Sequence, residues 1–320
     1  MKVKIWGSRG LKPAPIDSEA IQSKVKKILN LAKPGNISSP EAVDSFMQNI
    51  SLPLKGTYGG NTPCLEIRTD SDDLIIINAG SGLAGLSSDL MGTNFAEGRG
   101  MANFIFTSSE WSHIQGLPFF EPLYVDSNRF NIYSPLVDLE LRLKQQQSYQ
   151  YTTKAFNKIK ATLNFFTVPE EGEFFLNDLK ILTKKMPHPY LPSFGVRLEK
   201  DNKSLVYTSS SSFDHEDFSL LNEFQLFFKE ADILIFDTLN GFEKISDDFI
   251  EGHSTAKTAV EIANIFQVKK LIFFNHHPKA NDNQLENLLY KAQAYQNIKK
   301  NLNEDQVNLD LAFEGMVLNF

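Results

Sequence analysis

The sequence predicts an α/β fold in which two β-sheets pack face to face and helices lie on the outside. Nearly continuous apolar runs at residues 74–78, 104–107 and 233–237 are typical of strands that are buried on both faces. Strand signals dominate each half of the chain, and helical stretches follow them. Packed sheets covered by helices satisfy both observations.

The first half of the chain begins with a strand signal at residues 3–6. Polar and Pro-containing sequence follows, and Ser39 before Pro40 predicts an N-cap and the first residue of a helix toward Asn49. Residues 11–56 are therefore a predicted helical insertion between two strands. The remaining elements predicted in this half are a helix over 18–32, strands over 64–69, 74–78 and 104–107, and helical structure over 137–162.

The second half repeats the alternation of strands and helices. Ser254 or Thr255 is predicted to cap a helix that runs to Phe266. A further helix is predicted from about Gln284. Strands are predicted at 180–186, 195–199, 204–208, 233–237, 271–274 and 310–318. Because no repeat or low-complexity linker interrupts this pattern, we expect residues 1–320 to form a single domain.

Composition excludes several classes of protein. The formal net charge of -7 offers no basic field for general nucleic-acid binding, which depends on Lys and Arg neutralising phosphates. No apolar run approaches the roughly 20 residues that a membrane span needs. The single Cys64 cannot form an internal disulfide, and residues 1–6 lack the apolar core of a signal peptide. We therefore expect a soluble cytoplasmic protein that binds no membrane.

Polar and imidazole side chains are concentrated where five predicted strands end. The clusters are 108–113, His188, 209–212, 253–255 and 275–277, and they contain five of the six histidines. Ligands of α/β proteins gather at such strand ends, so convergence of these clusters is a hypothesis worth testing. The spacings contain no His-x-His pair, no His-Glu-x-x-His helix and no Cys-x-x-Cys pair, and therefore do not by themselves predict a metal site.

A series of short motifs covers nearly the whole chain in a fixed order. They are 6–10, 58–64, 78–82, Trp111 with 113–119, 133–135, 188–189, 205–207, Asp237, 252–255 and His276 with Pro278. Together they resemble the metallo-β-lactamase-fold hydrolases, most nearly the phosphodiesterase-like branch related to ribonuclease Z. The resemblance implies an αββα sandwich of two mixed sheets with the active site along one edge of the sheets.

The residues at the seven positions that the resemblance assigns to metal ligands depart from the family pattern. These positions hold Ser108, Glu110, Ser112, His113, His188, Ser210 and Asn275. Only His113 and His188 match, and Glu110 can act as a substitute. The family pattern gives one metal to 108, 110 and 188, the other to 112, 113 and 275, with 210 as the bridge. A catalytic zinc usually needs about three protein ligands, and Ser and Asn are poor ones, so neither site is complete.

Three of the replacements each remove a negative charge. Where the family has Asp, this chain has Asn78, Ser112 and Ser210. Buried carboxylates without compensating cations are costly, and neutral hydrogen-bonding residues remove that cost. We therefore expect no metal or other cofactor. The alternative is one zinc or manganese ion held by Glu110, His113 and His188.

Three functional hypotheses remain open from the sequence. The first is a non-catalytic protein whose pocket binds a small polar or phosphate-bearing ligand, or a partner. Its edge would be formed by His253, Asn78, Asp237 and His276, and the resemblance gives His253 a role in phosphodiester chemistry. The alternative is a phosphodiester hydrolase with a reduced metal site. The third is a metal-free enzyme that uses a serine. The segments 11–56 and 137–162 are expected either to shape the pocket mouth or to form a homodimer contact.

Overall fold

The predicted sandwich of two sheets is confirmed in a computed structural model of the chain. The structure describes residues 1–213, 218–242, 250–299 and 306–319. These residues form two seven-stranded mixed β-sheets, and helices pack on the outer face of each sheet. Among these residues, no helix combines the length and the apolar character required to cross a membrane.

The first sheet has the strand order β14-β1-β2-β3-β4-β5-β6. The strands from β3 to β6 run parallel, whereas β14, β1, β2 and β3 are antiparallel neighbours. The strands are β1 (Lys2–Gly7), β2 (Cys64–Arg68), β3 (Leu74–Ile77), β4 (Met101–Ile105), β5 (Arg129–Ser134), β6 (Thr162–Thr167) and β14 (Val317–Asn319).

The second sheet has the order β13-β12-β11-β10-β9-β8-β7. Its strands from β10 to β13 are parallel, and those from β7 to β10 are antiparallel. The strands are β7 (Gly172–Leu176), β8 (Leu179–Lys185), β9 (Phe194–Lys200), β10 (Lys203–Tyr207), β11 (Ile233–Asp237), β12 (Lys270–Phe274) and β13 (Asn308–Leu311).

The helices begin where the sequence provides caps. The hydroxyl of Ser39 accepts from the backbone of Ala42 at the start of α2, and Thr255 caps α9, so Thr255 rather than Ser254 fills that role. The α-helices are α1 (Ser18–Leu31), α2 (Pro40–Asn49), α3 (Leu52–Lys55), α4 (Leu83–Leu90), α5 (Trp111–Ile114), α6 (Leu139–Gln146), α7 (Phe218–Glu223), α8 (Gln225–Phe228), α9 (Ala256–Ile265) and α10 (Asp282–Lys299). Short 3₁₀ turns cover 34–37, 94–97, 117–119, 121–124 and 156–158.

Burial on both faces explains the continuous apolar sequence of these strands. In β3, Ile75 and Ile77 pack in the layer between the sheets, whereas Ile76 packs in the cluster that includes α4. In β11, Ile235 faces the layer between the sheets and Phe236 faces the cluster that includes α9. Because side chains alternate along a strand, a strand covered on both faces must be apolar at every position.

Two secondary-structure predictions were wrong, and three strands were missed. The single closing strand predicted over 310–318 is two strands, β13 and β14, which belong to different sheets. The stretch 137–162 is helical only at α6 and in a 3₁₀ turn, and turns occupy much of the rest. Strands β5, β6 and β7 were not predicted. Of these, β6 and β7 are the exposed edges of their sheets and carry a weak apolar pattern.

Candidate functional site

The candidate site lies where β3, β4, β10, β11 and β12 end. Three residues that directly follow, or nearly follow, these strands adopt left-handed backbone conformations: Asn78 at φ 60°, Ser209 at φ 58° and Asn275 at φ 57°. Asn tolerates this conformation through local hydrogen bonding, whereas Ser adopts it far less often. Three sharp turns of this kind bring short polar segments of both sheets to one edge of the sandwich.

Glu110 is the centre of a hydrogen-bond network at this edge. Its Oε1 accepts from the Ser112 hydroxyl at 2.9 Å, and its Oε2 accepts from the Ser210 hydroxyl at 2.6 Å. The hydroxyl oxygen of Ser108 accepts from the Glu110 backbone N–H at 3.0 Å. Ser108, Ser112 and Ser210, all at assigned ligand positions, are therefore each joined to Glu110. Ser210 comes from the second sheet.

The Glu110 carboxylate is stabilised in its charged form. Burial alone would raise its pKa, but the imidazole of His113, the Ser210 hydroxyl, the imidazole of His253 and the Ser112 hydroxyl together lower it. The group is therefore ionised at neutral pH. Hydrogen bonds from two serine hydroxyls stabilise this charge.

His113 is completely buried beside Glu110. Its Nδ1 lies 3.9 Å from Glu110 Oε2, which is too long for a hydrogen bond. Within the described part of the chain, neither ring nitrogen of His113 has a hydrogen-bond partner. Burial is the main cause that lowers the pKa of His113, so the ring is neutral at pH 7 and presents one donor and one acceptor.

His253 and Asp237 form a buried pair. The distance from His253 Nδ1 to Asp237 Oδ2 is 2.6 Å, and that carboxylate also accepts from the backbone N–H groups of Ser211 at 3.0 Å and Leu239 at 3.2 Å. Burial would lower the pKa of His253, but the charge of Asp237 and its hydrogen bond outweigh burial and raise it. His253 is therefore the most readily protonated histidine of the site.

His188 lies beside His253 with the two ring centroids 6.2 Å apart and the rings nearly perpendicular. Its Nδ1 accepts from the backbone N–H groups of Leu191 at 3.0 Å and Tyr190 at 3.3 Å, which leaves the proton on Nε2. Burial, and then the neighbouring His253, lower the pKa of His188. Gly252, at φ 90°, passes so close that a Cβ there would lie 2.4 Å from His188 Nε2.

Asn78 and His276 make their contacts away from Glu110. The Asn78 amide donates to the Tyr207 hydroxyl at 3.2 Å and to Thr107 at 2.8 Å, and so ties the two sheets together beneath the site. His276 Nε2 lies 2.7 Å from the Ala312 carbonyl oxygen, and burial lowers its pKa to about 3. Both residues support the strand ends, whereas the buried Asn275 keeps an Oδ1 with no hydrogen-bond partner among the described residues.

One contact of the site was not predicted from the sequence. Arg142, from α6, donates through Nη1 to the Ser109 hydroxyl at 2.8 Å and brings a cation to the edge of the site. The buried Ser211 hydroxyl has no partner in the described segments. The run 209–212 signals Ser211, but no sequence pattern connects Arg142 with Ser109, which lies 33 residues away. His215, a further histidine of the sequence, lies outside the described residues.

The donor set does not fit a dinuclear metal centre. In the described ranges, no three or more His, Cys, Asp or Glu side chains are grouped so that they could hold a metal ion. Both Glu110 oxygens accept from serine hydroxyls, and His188 Nδ1 accepts from backbone amides. Apart from His113, the other assigned positions offer hydroxyl and amide groups, which bind such ions poorly. We derive no chemical step through a metal.

Comparison with solved structures identifies the fold. No protein-family model matches the chain, and no curated protein matches it. The metallo-β-lactamase-fold protein YhfI from Bacillus subtilis is 18% identical with a TM-score of 0.63, over 99% of this chain and 98% of that one. The short form of human tRNase Z is 16% identical with a TM-score of 0.59, and unliganded yeast PDE1 is 13% identical with a TM-score of 0.61. Both alignments cover 100% of this chain and 99% of the other.

The chain therefore has the metallo-β-lactamase fold along its whole length, as the motifs in its sequence predicted. At these identities the likeness establishes the fold alone, and any function must be argued from the site.

Proposed function

We propose that this chain is a non-catalytic protein of metallo-β-lactamase fold that binds a small polar ligand at the strand-end site. The observation that carries the proposal is the closure of Ser112 and Ser210 onto the two oxygens of Glu110. Ser112 and Ser210 occupy two assigned ligand positions, and their hydroxyl groups donate hydrogen bonds to the Glu110 carboxylate at a third. The protein thus balances this buried charge with its own groups.

The same network argues against hydrolysis by the mechanism of metal-dependent relatives. In such enzymes the metal supplies hydroxide at neutral pH and polarises the phosphoryl oxygen. Here two of the assigned ligand carboxylates are replaced by Ser112 and Ser210, and a supporting carboxylate is replaced by Asn78. None of these three residues needs a cation for stability. No hydrogen bond between a serine hydroxyl and a histidine is present among the described site residues to replace that chemistry with a serine nucleophile.

The chemistry of the ligand follows from the buried groups that lack partners. His113 offers one donor and one acceptor, Asn275 offers Oδ1, and Ser211 offers its hydroxyl. Satisfying such groups is favourable because an unpaired buried polar group costs about 1–3 kcal/mol. The ionised Glu110 carboxylate places a negative charge at this site. This charge favours an uncharged polar ligand over a phosphate dianion.

One observation supports the second candidate, a hydrolase with a single zinc or manganese ion. The ring nitrogens of His113 have no hydrogen-bond partner, and a neutral imidazole is a good metal ligand. Glu110 lies beside it, but both of its oxygens already accept hydrogen bonds. A metal ion at Glu110 would have to share a carboxylate oxygen with a serine hydroxyl.

Turnover of a generic phosphodiester separates the two candidates. We expect purified protein to hydrolyse bis(4-nitrophenyl) phosphate no faster than buffer, with or without added zinc or manganese. The His188→Ala variant is the matched control, because it removes an assigned ligand without touching the Glu110 network. Metal-dependent turnover that disappears in His188→Ala would overturn the non-catalytic proposal.

A further inference from the structure

Strand β6 is a free edge of the first sheet. Its residues, Thr162–Thr167, pair with β5 on one side and with no described segment on the other. Four of the six residues are exposed, and none of the six is buried. The strand therefore presents an accessible row of backbone groups along the edge of the sandwich.

The parallel ladder with β5 determines which backbone groups of β6 are free. The N–H groups of Thr162 and Val168 donate to carbonyl oxygens on the β5 side at 2.8 Å and 3.0 Å, so the even-numbered residues bond to β5. Since the hydrogen-bonding direction alternates along a strand, the N–H and C=O groups of Leu163, Phe165 and Thr167 point away from the sheet. These groups have no hydrogen-bond partner within the described chain.

The sequence of β6 lacks the features that normally protect an edge strand. It reads TLNFFT, with no charged residue and no Pro, and its ladder with β5 contains no bulge. The other three edge strands are shorter, and two of them, β13 and β7, also carry an acidic residue, Asp310 and Glu173. Because an unprotected edge pairs readily with another strand, β6 is the edge of the described fold best suited to docking.

Pairing of β6 with a second β6 has one favoured register. In an antiparallel pair the free groups must face each other, so odd-numbered residues of the two copies lie opposite one another. A pair centred on Phe165 sets Leu163 of each copy opposite Thr167 of the other, and all three outward-facing residues of each strand then exchange hydrogen bonds. Sliding one strand by two residues leaves one of the three without a partner in the strand.

Charged residues that flank β6 match this register. Continued beyond the strand, the register brings Lys160 of one copy opposite Glu170 of the other, and two-fold symmetry repeats the pair at the other end. Within the described chain, Lys160 has no ion pair, and Glu170 has only a 3.9 Å contact with the exposed Lys185. Sliding by two residues in either direction would place uncharged Val168 or Gly172 opposite Lys160 instead.

We propose that a second copy of this chain docks on β6, so that the two strands pair antiparallel about Phe165 and the first sheets of both copies become one continuous sheet. The free N–H and C=O groups require a strand as the occupant, and the match of Lys160 with Glu170 selects a second β6. The inference rests on β6 and its flanking residues and does not depend on the proposed ligand.

The first test removes hydrogen bonds of the interface while leaving those of the fold. The wild-type protein is expected to sediment with twice the chain mass of 36.2 kDa. Thr167→Pro lacks the N–H that donates across the interface, and Pro is tolerated where the N–H of an edge strand faces solvent. Because symmetry repeats the loss, the dimer dissociation constant should rise at least about 10-fold. Thr167→Val keeps the N–H and is the matched control, which should leave the dimer unchanged.

A second test uses the flanking charges. Lys160→Glu and Glu170→Lys should each weaken the dimer about 10-fold, because like charges then meet at both ends. Mixed in equal amounts, the two variants should form a mixed dimer of nearly wild-type affinity, since opposite charges meet again. Lys26→Glu makes the same charge change on α1 and is the control, which should not respond to Glu170→Lys. Variants that merely fail to fold could not produce this rescue.

Amide hydrogen exchange locates the interface within β6. Exchange at Leu163, Phe165 and Thr167 should slow as the protein concentration rises, because their N–H groups become bonded only in the dimer. The N–H groups of Asn164 and Phe166 bond to β5 and should be protected already at low concentration.

Four results would overturn the proposal. The first is a protein that remains monomeric at every concentration tested. The second is a dimer that Thr167→Pro leaves unchanged, which would place the interface elsewhere. The third is a mixture of Lys160→Glu and Glu170→Lys that fails to recover affinity. The fourth is growth beyond two copies, which would mean that β6 pairs in an open-ended array.

Discussion

The Ser210 hydroxyl donates a 2.6 Å hydrogen bond to Glu110 Oε2 and so joins the two sheets across the candidate site. Glu110 follows β4 of the first sheet, and Ser210 follows β10 of the second. In the family pattern, position 210 holds the ligand that bridges the two metals. Here Ser210 stands at that position and hydrogen-bonds directly to Glu110, which occupies another ligand position. The stability of this edge should therefore depend on Ser210.

Removal of the Ser210 hydroxyl tests that dependence. Ser210→Ala leaves the buried Glu110 carboxylate with one hydroxyl donor fewer, and we expect it to lower the free energy of unfolding by about 1–3 kcal/mol. Urea unfolding at neutral pH measures the change. Ser211→Ala is the matched control, because its buried hydroxyl has no partner in the described residues, and its cost should stay below about 0.5 kcal/mol. Equal losses in the two variants would contradict the account.

The Asp237–His253 pair predicts a loss of stability at alkaline pH. The pKa of His253 is raised in the folded protein, so its contribution is fully present below the unfolded value of about 6.5 and is lost as pH rises through the folded pKa. Urea unfolding across this range should therefore show a steeper decline for wild type than for His253→Gln. If the free energies of unfolding of the two proteins change in parallel with pH, the Asp237–His253 pair does not contribute this pH-dependent stability.

His113 should remain neutral where His253 is protonated. Burial is the main cause that lowers the pKa of His113, whereas Asp237 raises that of His253. NMR of protein labelled with ¹⁵N-histidine near pH 6.5, the ordinary histidine pKa, should show a neutral ring for His113 and a doubly protonated ring for His253. His113→Gln and His253→Gln assign the signals. A charged His113 would be incompatible with the proposed uncharged ligand site.

Gly252 should be required for the position of His188. Gly252→Ala would place a Cβ 2.4 Å from His188 Nε2 and also strain the backbone at φ 90°. Gly241→Ala is the control, because Gly241 has φ 73° but no atom within 4 Å of the added Cβ. Both should lose the roughly 1–3 kcal/mol typical of a strained backbone, and Gly252→Ala should lose more. A smaller loss in Gly252→Ala would contradict the close contact.

The sequence predicted much of the fold because the buried strands are continuous apolar runs with clear boundaries. Ser39 and Thr255 likewise marked the helix starts, since capping is a local interaction. Edge strands β6 and β7 escaped prediction because exposure removes the apolar pattern. Local patterns therefore carry most information where a strand is apolar at every position or a helix has a capping residue.

The sequence points to Glu110 and Ser210 as candidate residues but not to the bond between them. The bond between Glu110 and Ser210 spans 100 residues, and that between Arg142 and Ser109 spans 33. Neither follows from local spacing, because only the folded sheets bring these loops together. The contacts of Asn78 with Tyr207, and of His276 with the Ala312 carbonyl, likewise depend on the packing of distant segments.

The measurement that tests the central claim most directly is the metal content of the protein. The chain would be purified without chelator, incubated with zinc and manganese, desalted and measured by mass spectrometry. Because Ser112 and Ser210 already satisfy the Glu110 carboxylate, we predict almost no metal per chain. About one metal ion per chain is the content expected of a single completed site. That content, if it is lost in His188→Ala, would contradict the account.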